Sequence, residues 1–439
     1  MSVPKPSKAD LPYGFAISER IKEEVVKQDV WTVFSPASGF VPKDSINLGQ
    51  GFMNWAPPQY VQKAAQMAIT NVETNHYSVP RGRLRLRNAL AKHYCESPSF
   101  KRQLDPNTEI IVTSGANEGI YAIETAFLQP GDEVIMFEPF FDQYIANTTF
   151  NGGVPVYVPL HPSTKARTSV IGSSEWTIDY DELRAAITPK TKFIFLNTPH
   201  NPIGKVFDVD ELTEIGRIAK EHDLIILADE VYDCLALDKE HVRIATIDDL
   251  WERTITIGSA GKSFSATGWR VGWAIGPKNL IHPALAATTR IVFCTNSPLQ
   301  EATAVGFEEA AEHDFFAKQR EEYKERRAVL CEALDRVGLP YTFPDGGYFV
   351  LVQNDSIKVP DDFVIPDMIK DRPRDWHVSW FLAQTVGVVA IPPTDFYGPE
   401  HQSIGASFTR LAYCKDLDTL RKAGERLQEL KPYIVKTAA

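Results

Sequence analysis

Lys262 stands among small residues, in Gly258-Ser259-Ala260-Gly261-Lys262-Ser263, and Arg270 follows eight positions later. The apolar run Thr254-Ile255-Thr256-Ile257 leads into this segment. A lysine at the end of a buried strand is unusual, because burial disfavours its charged form. One use for such an amine is an imine with an aldehyde, and pyridoxal phosphate is the common biological aldehyde held that way. Ser259 and Arg270 would then hold the phosphate. Gly261-Lys262-Ser263 also mimics the end of a nucleotide P-loop, but that motif needs a glycine at position 256, where Thr256 stands. A lone lysine is otherwise a solvated surface group, so the rest of the chain decides.

Several other strand ends carry polar groups. Small residues at Ser114-Gly115-Ala116 precede a helical pattern and leave backbone N–H groups free for a phosphate, or make a plain strand-to-helix turn. Phe140 and Phe141 could stack on a flat ring or fill the core. Asn197 and Asn201 lie in a proline-fixed loop as rigid hydrogen-bond donors. Asp229 ends a very apolar run, and a buried carboxylate needs a partner. A protonated pyridine nitrogen would serve, with Tyr232 reaching the ring hydroxyl; the alternative is a helix-capping aspartate. Arg410 sits in the short apolar run Phe408-Thr409-Arg410-Leu411-Ala412, where an arginine usually pairs bidentately with a carboxylate, internal or a ligand's.

The elements that must position these residues alternate. Strand candidates fall at 109–113, 133–137, 154–159, 192–196, 224–228, 254–257 and 269–275, with helices between them, such as one after Asp208 that buries Leu212, Ile215 and Ala219. This predicts an α/β fold with a mostly parallel seven-stranded sheet covered on both faces and ligands at the carboxyl ends of its strands. After about residue 300 the pattern changes to a smaller α+β domain: a charged helix over 301–337, a strand at 348–352, a polar insertion at 354–374, a helix over 376–386, a strand at 387–391 and a closing helix capped by Asp416. The expected division is 1–59 as an N-terminal segment packing with the small domain, 60–300 as the large domain and 301–439 as the small one.

The 439 residues suffice for two or three domains, and 44% are hydrophobic. A net charge of −11 argues against a nucleic-acid or anionic-membrane partner. No apolar run reaches membrane-spanning length. Met1 to Asp10 lacks both a secretory apolar stretch and an Arg-rich amphipathic helix, so a cytoplasmic location is expected, with a mitochondrial one as the alternative. Five scattered cysteines suggest reduced thiols, with no zinc site or other metal.

With these residues assembled, the chain resembles fold-type I, aspartate aminotransferase-like pyridoxal-phosphate enzymes over nearly its whole length. The segments around Gly49-Gln50-Gly51-Phe52, Glu138-Pro139-Phe140-Phe141-Asp142, Thr198-Pro199-His200-Asn201-Pro202-Ile203-Gly204 and Gly258 to Arg270 resemble the kynurenine aminotransferase, glutamine transaminase K and cysteine-conjugate β-lyase group, most of all its fungal branch. The resemblance implies that Lys262 forms the imine and shuttles the proton, Asp229 pairs with the pyridine nitrogen, and Asn201 and Tyr232 bond the ring oxygen. It implies that Phe141 stacks on the ring, that Gly115, Ala116, Ser259 and Arg270 hold the phosphate, and that Tyr77 adds a hydroxyl from the second subunit of a homodimer. Arg410 and Asn201 would bind the substrate carboxylate, with Trp31, Gly51 and Phe293 bordering the substrate. His200 stands where mammalian members commonly have Asn. Cys294 stands where a histidine lines the mammalian pocket, which leaves side-chain specificity open.

The implied reaction moves the amino group of kynurenine, or another aromatic or large neutral amino acid, to a 2-oxo acid, a step of tryptophan catabolism. The apolar surface offered by Trp31, Phe52, Trp55, Phe293 and Phe396 fits such a donor better than aspartate. Arg290 leaves a second carboxylate partner open. Cysteine-conjugate β-elimination or glutamine transamination at the same site are the alternatives. A ligand-sensing regulator on the same fold would need an N-terminal DNA-binding module, and no basic helix pair precedes the large domain.

Overall fold

Apolar runs with no polar alternation become strands buried on both faces, as a sheet sandwiched between helices requires. The computed structural model describes residues 15–21, 29–96 and 100–435, so the expectation for Met1 to Asp10 lies outside the described residues. The large sheet contains β1 (Ile110–Thr113), β2 (Glu133–Glu138), β3 (Val154–Pro162), β4 (Trp176–Ile178), β5 (Thr191–Asn197), β6 (Ile225–Asp229), β7 (Thr254–Ser259) and β8 (Gly272–Ile275). Their order is β1-β8-β7-β6-β5-β2-β3-β4. Strands β7, β6, β5, β2 and β3 run parallel, β8 is antiparallel to both neighbours, and β4 is antiparallel to β3.

The expected seven strands are present. The eighth, β4, is a three-residue edge too short to carry a periodic signal. Strand β8 starts at Gly272 rather than 269, because Thr267–Trp269 forms a 3-10 turn and Arg270 takes the left-handed conformation, φ 55°. The helix Val209–Glu221 forms for the reason its sequence gives. Asp208 accepts from Glu211 N at 2.9 Å, the Glu211 carboxylate accepts from Asp208 N at 3.2 Å, and Leu212, Ile215 and Ala219 are buried.

A second sheet is built from β9 (Tyr341–Phe343), β10 (Phe349–Gln353) and β11 (Phe408–Ala412), in the order β11-β10-β9, and is completed at its edge by Ile171–Gly172 from the middle of the chain. Helices Phe315–Val337 and Leu417–Leu427 pack together beside it, the latter capped by Asp416, whose carboxylate accepts from Thr419 N at 2.8 Å. The helix expected over 301–337 is two, Ser297–Glu308 and Phe315–Val337, separated where Asp314 takes a positive φ. The helix expected over 376–386 is α-helical only over Arg374–Phe381 and then widens to a π-turn. The strand expected at 387–391 shrinks to Val388–Val389, which pairs in parallel with Ile46–Asn47, while Ile391 bridges to Arg410. Among the described residues, no helix is long and apolar enough to cross a membrane.

Candidate active site

The carboxyl ends of β5, β6 and β7 open on a cavity of about 320 Å³, and the second sheet closes it from the far side. Lys262 enters from the short helix Ala260–Ser263 after β7. Its Nζ donates to Tyr348 Oη at 2.6 Å and lies 5.5 Å from the centre of the Tyr232 ring. Burial lowers its pKa to about 8, with Arg410 and Arg270 pushing the same way and Cys414 and Asp229 opposing. The amine is therefore partly neutral near physiological pH, as a nucleophile or proton carrier must be.

Asp229 ends β6 at the cavity floor, with Tyr232 beside it. Burial raises its pKa to about 6, against the opposing effects of the Tyr144 hydroxyl and Val231 N, which both donate to its carboxylate. Neither donor is a cation, and Lys262 acts on the carboxylate through its charge alone, so Asp229 can accept a further positively charged partner. The loop after β5 is tied to the same strand end. Asn197 Nδ2 donates to Asp229 O at 2.9 Å, and Asn201 N donates to Asn197 Oδ1 at 2.7 Å.

An anion cradle occupies another part of the cavity. Gly115, φ 87°, precedes the helix Ala116–Phe127 without a side-chain cap, which leaves the first-turn N–H groups free. A Cβ on Gly115 would lie 2.4 Å from Arg270 Nη2, and one on Gly272 would lie 2.7 Å from Ala116 N. Glycine is needed at both places for the guanidinium and the helix start to converge. Ala116, Ser259 and Arg270 all line the cavity.

Arg410 reaches in from β11 and is fully buried. Its Nη1 donates to Asn201 Oδ1 at 3.2 Å and its Nη2 to Gly49 O at 2.7 Å, while Nε has no hydrogen-bond partner among the described residues. The guanidinium lies 4.2 Å from the Phe349 ring centre, 5.1 Å from Phe396 and 5.3 Å from Trp31. Burial lowers its pKa to about 10, so it remains a cation at neutral pH. Trp31, Gly51 and Phe141 also line the cavity, and Trp31 Nε1 donates to Asp142 Oδ2 at 2.7 Å.

Tyr77 and Phe293 do not line it. Their rings meet edge to face at 5.4 Å on the surface, and Tyr77 is 85% exposed. Two tyrosines that the sequence reading gave no role belong to the site. Tyr144 lies in the first turn of the helix Gln143–Phe150, just past Phe141, and nothing in that spacing marks it out from a core aromatic. Tyr348 meets Lys262 across 86 residues of chain, and nothing in its neighbourhood signals the contact.

A half-buried lysine, a buried carboxylate, an anion cradle and a buried arginine around one cavity suit amino-group transfer. The family model for aminotransferase class I and II matches residues 43–427. The chain belongs to that family. This aminotransferase is 44% identical to the Saccharomyces cerevisiae protein named "Probable kynurenine--oxoglutarate transaminase BNA3", with 93% of each chain covered. It is 41% identical to the kynurenine–oxoglutarate transaminase of Dictyostelium discoideum, over 92% of this chain and 94% of that one. The crystal structure of S. cerevisiae Bna3p superposes with a TM-score of 0.91 at 43% identity, covering 96% of this chain and all of that one.

Proposed function

We propose that this aminotransferase moves the amino group of kynurenine, or of another aromatic or large neutral amino acid, to a 2-oxo acid, with pyridoxal phosphate as its cofactor. The observation that carries this reading is that Lys262, Asp229 and Arg410, from three distant parts of the chain, face one cavity. The names of the relatives supply kynurenine and oxoglutarate.

The residues fit the cofactor. Gly115 and Gly272 let the Arg270 guanidinium and the helix start at Ala116 N converge, which suits a phosphate, and Asp229 is a buried carboxylate with no cation hydrogen-bonded to it among the described residues. Lys262 would hold the aldehyde carbon, Ala116 N, Ser259 and Arg270 the phosphate, Asp229 the ring nitrogen, Asn201 and Tyr232 the ring oxygen, and Phe141 one ring face. Once bound, the cofactor supplies an electron sink for the bond broken at the substrate α-carbon. Asp229 keeps the ring nitrogen protonated, because a carboxylate beside that nitrogen favours its charged form. Lys262, its pKa near 8, takes the α-proton as a base and returns it as an acid. Arg410 fixes the substrate carboxylate with a planar fork and thereby orients the reacting bond. Trp31, Phe349 and Phe396 exclude water around that fork.

The large sheet with its helices would form a cofactor domain at 60–300, and 1–59 with 301–439 the remainder. Tyr77 and Phe293, in contact with each other and both exposed, would face the cavity of a second copy in a homodimer. Five free cysteines suit a reducing compartment such as the cytoplasm. A panel of kynurenine, phenylalanine, glutamine and aspartate tests the reading. Kynurenine or phenylalanine should have the highest kcat/KM, and a preference for aspartate would overturn it.

A further inference from the structure

Four successive carbonyls of the segment Gly49-Gln50-Gly51-Phe52 are each taken by a side chain from the second sheet or its flanks. Gly49 O accepts from Arg410 Nη2 at 2.7 Å, Gln50 O from Lys415 Nζ at 3.1 Å, Gly51 O from Tyr348 Oη at 2.9 Å, and Phe52 O from Lys415 Nζ. The segment is thus fixed along its length. Gly51 lets Tyr348 come this close: a Cβ there would lie 2.7 Å from Phe349 Cζ and 2.9 Å from Tyr348 Cε2. On its other side the same hydroxyl meets Lys262 Nζ at 2.6 Å.

We propose that Tyr348 is a positioning residue for the reaction, holding the free Lys262 amine at a fixed point between Gly51 and the cavity. This rests on the reading of Lys262 as the working amine. A phenol has one hydrogen, and Tyr348 gives it to Gly51 O, so towards Lys262 it can only accept. Burial pushes its own pKa well above 10, so it stays a neutral phenol and takes no part as an acid or base. With one N–H pinned on Tyr348, the directions open to the nitrogen lone pair are restricted. An amine that must repeatedly leave and regain one carbon gains from that restriction. The other charged or titratable groups facing the amine are Asp229, Tyr232, Arg270, Arg410 and Cys414. Tyr348 differs from them in touching it directly through an anchored oxygen.

Tyr348→Phe in the full chain tests this, with Tyr413→Phe as the control. Tyr413 is equally buried and donates its hydroxyl to Gly347 O at 2.9 Å, but it makes no bond to Lys262. With pyridoxal phosphate removed, the acetylation rate of Lys262 is followed against pH by peptide mass spectrometry, with exposed lysines as internal standards. Losing an acceptor for the ammonium form should move the Lys262 profile down by roughly half a pH unit or more in Tyr348→Phe, and leave it in place in Tyr413→Phe. With cofactor restored, Tyr348→Phe should lower kcat roughly tenfold or more, with KM for kynurenine little changed. Identical Lys262 profiles in the parent and Tyr348→Phe overturn the proposal, as does an equal shift in Tyr413→Phe. Borohydride fixation of the cofactor on another lysine would instead overturn the reading of Lys262 itself.

Discussion

Asp229 carries two opposite demands. In the cofactor-free protein its raised pKa means that the folded state binds more protons than the unfolded state between pH 3.8 and about 6. Stability from this group is therefore present at low pH and lost as pH rises through that window, by up to about 3 kcal/mol. Asp229→Asn should remove the loss, so that the urea midpoint of the cofactor-free variant exceeds the parent's at pH 7.5 and converges with it near pH 4. The same substitution should cut transamination by roughly 100-fold or more, since breaking a buried charged pair costs about 3–5 kcal/mol, while phosphate contacts keep the cofactor bound. Near-normal turnover would refute the ring-nitrogen role. Arg410→Lys keeps the charge and loses the fork, so KM should rise for amino and oxo acids alike, by about tenfold or more. Equal KM values would refute carboxylate binding. Lys262, Asp229 and Arg410 were legible because each is a charged residue at the end or centre of an apolar run, a placement with few innocent explanations. Tyr144 and Tyr348 were not, because a tyrosine in an apolar run reads as core, and only folding shows where its hydroxyl ends.

At the scale of elements, strand β1, Gly115 and the helix that follows form one device. Gly115→Ala places a side chain in a backbone region that costs about 1–3 kcal/mol for a non-glycine residue and drives Arg270 away from the helix start. Titration with pyridoxal phosphate should show affinity weakened about tenfold or more, with melting of the cofactor-free protein lowered modestly. Unchanged affinity would move the phosphate elsewhere. The parallel strands and the helix after Asp208 could be read in advance, since each buries one unbroken apolar run or stripe. The elements that shifted are those whose limits depend on backbone geometry: β8 is cut short by the left-handed Arg270, and the long charged stretch after 300 is broken at Asp314. The edge Ile171–Gly172 is too short for any pattern.

For the whole molecule, the exposed Tyr77–Phe293 pair predicts sites shared between two copies. Mixing and refolding Lys262→Ala with Tyr77→Ala should restore activity that neither possesses alone, because one site of the mixed dimer regains both residues. Failure to complement would make the sites self-contained. The fold also sets a schedule for its own synthesis. The strand partner of Ile46–Asn47, Val388–Val389, is made roughly 340 residues after it. At about 5–20 residues per second, the nascent chain waits on the order of tens of seconds with that edge open. Arg410, whose Nη2 meets Gly49, is translated later still. The side of the cavity that Arg410 bounds is therefore closed only after residue 410 has been made, and a chain truncated before residue 388 leaves Ile46–Asn47 without its strand partner.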